Sequence, residues 1–185
     1  MKAADLNIWA CMPTLLLAAT LNVGSGETYS TVTYNAAAAG DTIYVYPGTY
    51  KEKLTISKSS ITLKGSTYPS TSPSGNEALM TYSTYASDAG SDDASATLLV
   101  TGANFIMYNM NISNTAGTAG QAVALSARGD YGGYYASALL SWQDTLYAHT
   151  GSQFFREVLY RGGCGFHFWD YGAILVGTLI SPLLF

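Results

Sequence analysis

Hydrophobic positions along this chain fall in short alternating runs, and no stretch keeps the 3.6-residue spacing of an amphipathic helix. "TIYVY" (42–46), "KLTI" (53–56) and "ITLKG" (61–65) are β-branched or aromatic runs, and they predict three strands in quick succession. Pro47-Gly48 marks the turn between the first two. Ahead of them, Tyr34 to Ala39 carries an alanine run that predicts a short helix, ended by Gly40-Asp41. From Ser66 to Ser95 the composition shifts to Ser, Thr, Gly, Pro, Tyr and Asp, which predicts a long loop or a poorly ordered excursion. After Ala96 short strands return as "TLLV", "FIMYNMNI", "AVALSA", "YYASALLSW", "QFFREVLY" and "AILVG". Asn-Gly hairpin signals are missing, which argues against a meander of two-residue turns.

Laid in phase, "YYASALLSWQD" sits over "FFREVLYRGGCG" with aromatic pair on aromatic pair, at an offset of about twenty-one residues; "NMNISNT" fits upstream with a longer step. Strands and turns repeating every ~20–30 residues indicate a solenoid, here an all-β parallel β-helix. Residues one period apart then stack at roughly 4.8 Å. An antiparallel sandwich with coincidental spacing is the alternative.

The bulk numbers fit this picture. At 185 residues the chain has the length of one domain, and a 48% apolar fraction can fill a core. Only 11% of residues are charged, while Gly (19) and Tyr (15) are abundant, which suits a β-rich protein with many turns. The net charge of −4, without any Lys/Arg cluster, argues against a nucleic-acid partner. An acidic polymer would have to be held by local contacts. Cys11 and Cys164 make neither a disulfide framework nor a metal site.

At the N-terminus, Lys2 precedes an apolar run from Ile8 to Leu21, of signal-peptide length and too short to span a bilayer. Residues 1–20 are therefore expected to be a secretory leader, with 21–185 as the β-helix domain; Asp5, Pro13 and the lack of an A-x-A site leave an N-terminal segment packed on the fold as the alternative. The terminal "AILVGTLISPLLF", thirteen residues with Pro182 inside, is no membrane span.

Chemistry concentrates around "SWQDTLYAHTGSQFF". Gln121 and Gln143 are twenty-two residues apart, so on a solenoid they stack on neighbouring turns, with Asp144 beside them. Two side-chain amides can donate to a developing oxyanion, and a carboxylic acid next to them can move a proton to or from a reacting oxygen. A lone Gln-Asp in a turn is more often a cap or a backbone brace, so the combination carries the weight.

"GDTIYVYPGTYKEKLTI", "QAVALSARGD" and above all "QDTLYAHTGSQFF" resemble the pectin methylesterases, or pectinesterases, with "GYYASALLSWQDTLYAHTGSQFF" nearest the fungal type. The likeness covers most of residues 21 to about 175. It implies a right-handed parallel β-helix of the pectin lyase-like kind, incomplete at its C-terminal side. The implied protein is a secreted monomer that removes methyl esters from pectin galacturonan without metal or cofactor. By position, the resemblance makes Gln121 and Gln143 the oxyanion donors and Asp144 the general acid/base. The family nucleophile is the Asp of a "VDFIFG" motif, twenty-one residues after the first Asp; here the same register reads "CGFHFW", and Gly165 stands in the nucleophile's place.

That replacement should cripple hydrolysis. Two carboxylates at 4.8 Å repel by about 3.5 kcal/mol at an effective dielectric near 20, which keeps one of a pair protonated and able to donate. Asp144 has lost that partner, and removing a nucleophile costs on the order of 10⁴ to 10⁶ in turnover. Asp170 lies five residues late, about 16 Å along a strand and on the opposite face; His167 and Cys164 are weaker substitutes. The family arginine belongs to a "GRPW"-type motif that this sequence lacks; Arg128, Arg156 and Arg161 do not match it and read as surface charges, and a truncated gene product is the expectation. Phe166, Tyr147 and Trp169 are the candidate substrate-binding aromatics, Phe166 first because the family's equivalent borders the substrate; Trp142 and Phe168 could serve too, although stacking inside the coil is the commoner use of such rings. Asn111-Ile112-Ser113 is a glycosylation sequon placed in a predicted strand. The competing reading is a non-catalytic pectin-binding protein. A polysaccharide lyase or adhesin on the same coil would need the "QDTLY" match to be accidental, and lyases use a Ca²⁺ cage that no carboxylate cluster near Asp144 supplies.

Overall fold

The computed structural model describes residues 17–32, 34–163, 167–168, 173–177 and 179–182. From β2 to β16 each circuit of the chain lays one strand on each of three parallel sheets and then climbs one step, making a right-handed parallel β-helix. The first sheet holds β1 (Thr20–Val23), β2 (Thr42–Val45), β5 (Thr62–Gly65), β8 (Ile106–Tyr108), β11 (Gly132–Tyr135), β14 (Gln153–Arg156) and β17 (Ala173–Val176). On the second lie β3 (Gly48–Lys51), β6 (Ala78–Tyr82), β9 (Asn111–Asn114), β12 (Ala138–Leu140), β15 (Leu159–Gly162) and β18 (Leu179–Pro182). The third comprises β4 (Leu54–Ile56), β7 (Leu98–Val100), β10 (Leu125–Ala127), β13 (Leu146–Ala148) and β16 (His167–Phe168). Residues 1–16 lie outside the described residues, and with them nearly all of the expected leader; Thr20, its last residue, opens β1.

Alternation along each strand builds the core. Ile43, Leu63, Met107, Tyr134 and Phe155 pair in register up the first sheet, all fully buried, while their neighbours Tyr44, Lys64, Tyr108 and Tyr135 face outward. Met80, Ile112, Leu139 and Tyr160 do the same on the second sheet, and Leu54, Leu98, Leu125 and Leu146 on the third. Each such side chain stabilises the coil by about 1.5–3 kcal/mol, with extended-chain reckoning an upper bound.

Corners between sheets repeat as faithfully as strands. Asn109 (φ 52°), Ala136 (φ 46°) and Glu157 (φ 53°) turn the chain from the first sheet to the second in the left-handed conformation. Ser60, Asn104 and Tyr131 do so from the third sheet back to the first. Gly129 is forced by close approach: a Cβ there would run into the carbonyl of Gly102 one coil below.

Three sequence expectations need correction. The aromatic pairs are not in phase as laid: Tyr134 pairs with Phe155 and Tyr135 with Arg156, so the true step is twenty-one and the pair-on-pair alignment slips by one residue. A one-residue slip exchanges faces, and the inward ring of Tyr134 stacks on inward Phe155 at 4.6 Å and 10°. The segment 66–95 is not a structureless loop. It contains β6 and two short helices, α1 (Ala86–Ala89) and α2 (Asp92–Ser95), the latter capped by Ser91 Oγ on the Ala94 N–H at 3.1 Å. The helix expected at 34–39 is a single 3₁₀ turn, Tyr34–Ala36.

Candidate active site

Asp144 sits at the corner between β12 and β13 with φ 59°, and among the described residues it is the one non-glycine residue that makes a second-to-third corner in this conformation. Asp tolerates such a backbone better than most residues, and strain of this kind gathers at functional sites. The corner is clamped on both sides. Ser141 Oγ donates to the Ala122 carbonyl, Thr145 Oγ1 to the Ser141 carbonyl at 3.3 Å, and the Gly163 N–H to the Trp142 carbonyl at 2.7 Å. Asp144 is 2% exposed, whereas Trp142 and Gln143 are half-buried. One coil further, two glycines leave room for this corner. A Cβ on Gly163 would lie 2.9 Å from the Trp142 ring, and one on Gly162 2.5 Å from Thr145 Oγ1.

The two glutamines come together through the backbone. The Ala122 N–H donates to the Gln143 carbonyl at 3.1 Å, a step of twenty-one residues between successive coils, so Gln121 and Gln143 flank this bond on adjacent coils. Gln121 is held from the other side by the segment misread as a loop: the Ala86 N–H donates to its carbonyl at 2.8 Å. Buried Asn114 ties that segment down, donating through Nδ2 to the carbonyls of Thr84, Ser95 and Val123, each at 3.0 Å. Tyr147 faces outward on β13, in register with Ser126 below and with His167 above. Gly165, Phe166, Trp169, Cys164 and Asp170 lie outside the described residues, as do the side chains of His167 and Phe168.

Beside Tyr147 stands a polar group that the sequence did not reveal. Asp93, at the start of α2, forms an ion pair with Arg128, accepts from Ser126 Oγ at 2.6 Å, and lies 3.6 Å from His149 Nδ1. The Tyr147 and His149 rings stack at 4.7 Å. Burial, together with the charges of Asp93 and Asp92 and against that of Arg128, pushes the Tyr147 phenol above its ordinary range, so its hydroxyl remains a proton donor. Arg128, expected to be a surface charge, is 39% exposed yet paired. Arg128 and His149 follow Ala127 and Ala148, which pair in register on successive coils, whereas Asp93 comes from the 66–95 segment. Asn111 of the sequon sits in β9 with its Nδ2 donating to the Asn76 carbonyl at 3.0 Å. No group of three or more His, Cys, Asp or Glu side chains among the described residues is placed to hold a metal ion, and no helix among them is long and apolar enough to cross a membrane.

Three parallel sheets wound in one continuous coil define the class as a parallel β-helix protein. The pectinesterase family profile matches residues 23–182, and the chain belongs to that family. It is 40% identical over 159 residues to pectinesterase A of Emericella nidulans, covering 83% of this chain and 49% of that protein. The pectin methylesterase of Aspergillus niger superposes with a TM-score of 0.84 at 36% identity, over 88% of this chain and 56% of that one. A pectin methylesterase solved in complex with a hexasaccharide superposes with a TM-score of 0.62 at 25% identity, over 81% of this chain and 50% of that one. The chain thus spans about half the length of the relatives it matches.

Proposed function

We propose that this chain acts on the methyl-esterified galacturonan of pectin, outside the cell and as a monomer, and that its ester hydrolysis is impaired because Gly165 takes the place of the nucleophilic aspartate. The backbone bond from the Ala122 N–H to the Gln143 carbonyl, which brings the Gln121 and Gln143 segments onto adjacent coils next to Asp144 in sequence, supports this reading. Two amide N–H groups converging on one ester carbonyl would hold the oxygen as it becomes an oxyanion, a contribution of about 2.7–4 kcal/mol per donor in well-formed sites. Asp144 would pass a proton to the departing methoxide or take one from water. Such a general-base route adds roughly 10²–10⁴ to the rate and falls short of covalent catalysis. Tyr147, Phe166 and Trp169 would offer flat faces to the sugar rings. Loss of the nucleophile equally supports a protein that binds pectin without cleaving it.

Methanol release from highly methylated pectin tests both parts. The unaltered chain should release methanol at least ~10⁴-fold more slowly than a turnover of 10 s⁻¹, a typical enzyme rate, and Gly165→Asp should raise the rate. Turnover by the unaltered chain at ordinary rates would defeat the impairment. Binding of the polymer with no methanol from either protein would favour the non-catalytic reading.

A further inference from the structure

The outer face of the first sheet, on a different side of the coil from Asp144, carries a built cavity that the ester chemistry does not use. It has a volume of about 640 Å³ and opens between the sheet and the 68–72 loop, with Tyr68, Tyr108, Tyr135 and Arg156 among its walls. Its back is a column of outward side chains in strict register, Tyr108, Tyr135 and Arg156 on three successive strands, which Lys64 continues one strand further beyond the lining. The Tyr108 and Tyr135 rings lie nearly parallel at 5.0 Å and 21°, and Tyr68 closes edge-on against Tyr108 at 5.0 Å. Lys64 Nζ stands 4.3 Å from the centre of the Tyr68 ring, so a cation marks one end of the aromatic wall and Arg156 the other. Among the described residues Arg156 is exposed and has no carboxylate in ion-pair reach, although a guanidinium readily takes a carboxylate with two parallel bonds.

The wall is fixed before any ligand arrives. Buried Asn109 donates through Nδ2 to the Ser70 carbonyl at 3.0 Å and to Asn76 Oδ1 at 3.2 Å, and Asn76 Nδ2 donates to the Ala136 carbonyl at 2.8 Å. Those bonds pin both ends of the loop to the sheet corner, so binding pays little ordering entropy.

We infer that this cavity is a second saccharide site, which takes a short run of acidic pyranose rings with their apolar faces on Tyr108 and Tyr135 and a ring carboxylate on Arg156. The C–H edges of a pyranose face carry partial positive charge and meet the negative face of an aromatic ring, while loop hydroxyls and the Glu157 carboxylate can pair with sugar hydroxyls. From Tyr108 to Arg156 the column climbs two strand steps, about 10 Å, room for more than one ring. The choice of a uronic acid rests on the pectin reading above; the ring wall and its terminal cations do not. A site here would tether the chain to a de-esterified stretch of the polymer while the Asp144 corner meets another.

Binding of a de-esterified oligogalacturonate to the full chain by titration calorimetry tests this, with a neutral gluco-oligosaccharide of equal length as the second probe. Arg156 has no carboxylate in ion-pair reach among the described residues, so Arg156→Gln should weaken the acidic probe by tenfold or more while leaving the weaker neutral probe unchanged; Tyr108→Leu should weaken both. Gln143→Ala, at the other corner, should leave this site's affinity as in the parent. Acidic-probe binding that falls in Gln143→Ala and stays at the parent value in Arg156→Gln and Tyr108→Leu would overturn the second site and leave the pectin reading standing. Equal affinity for the two probes would overturn the acidic class, and no binding of oligogalacturonate by the parent would overturn both readings.

Discussion

Asp41 shows how one carboxylate can fix where the coil begins. Its Oδ1 accepts from the Ala19 N–H and its Oδ2 from the Ala38 N–H, each at 2.7 Å, so a single side chain ties the residue before β1 to the turn before β2. These two bonds, with the Lys58 charge adding to them, hold the Asp41 carboxyl below its ordinary pKa of 3.8. The sign follows directly. A carboxylate whose pKa is lowered by folding stabilises the fold above the unfolded value and loses that contribution as pH falls through the folded one. Asp41→Asn should therefore cost about 2 kcal/mol at neutral pH, the scale of bonds to a charged group. The gap between variant and parent should stay constant above about pH 5 and close below the ordinary carboxylate range. Denaturant midpoints across pH check it; a gap that widens on acidification would refute the assignment. Asp144 is the contrasting case, since its left-handed backbone positions an acid at the candidate site rather than joining two segments.

At the level of elements, the 66–76 loop hangs on Asn109, which serves as corner residue and amide clasp at once. Asn109→Gly keeps the backbone conformation and loses the clasp; Asn109→Ala loses both. Both variants should expose the amides of residues 67–76 to faster hydrogen exchange, and the alanine variant should be less stable by a further ~1 kcal/mol for its left-handed backbone. Unchanged exchange in Asn109→Gly would show that the loop is held by something else. The clasp also explains what the sequence could disclose. A strand such as "TIYVY" was legible because one face is buried and alternation records it, whereas the single run "FIMYNMNI" is two strands, β8 and β9, on different sheets about the Asn109 corner. The phase of the aromatic pairs was not legible. Tyr134-Tyr135 and Phe154-Phe155 look alike in composition, and only the left-handed corners at Ala136 and Glu157 fix which ring faces inward. The 66–95 segment was missed for a related reason: its order comes from side-chain amides of Asn76, Asn109 and Asn114 bonding to distant carbonyls, a signal that local composition does not contain.

Over the whole molecule, charge works against the proposed ligand. The chain carries a net −4, and an oligogalacturonate is itself an anion, so the two repel until close contact. Arg128 cannot offset this at the Asp144 corner, because Asp93 already neutralises it. Attraction is left to single cations such as Lys64 and Arg156, whose reach is about 10 Å at ordinary salt. Raising ionic strength from 0.01 M to 0.1 M shortens the screening length from about 30 Å to about 10 Å. That removes the far-field repulsion and leaves short contacts comparatively intact. Association of a labelled oligogalacturonate should therefore speed up, by roughly twofold or more, over that range. Nucleic-acid binders behave in the opposite way, because salt weakens their dominant attraction. Stopped-flow rates on the full chain would decide the matter. A steep fall in the association rate with salt would mean that the local cations dominate the field at long range, and the net charge would no longer describe how this surface meets its polymer.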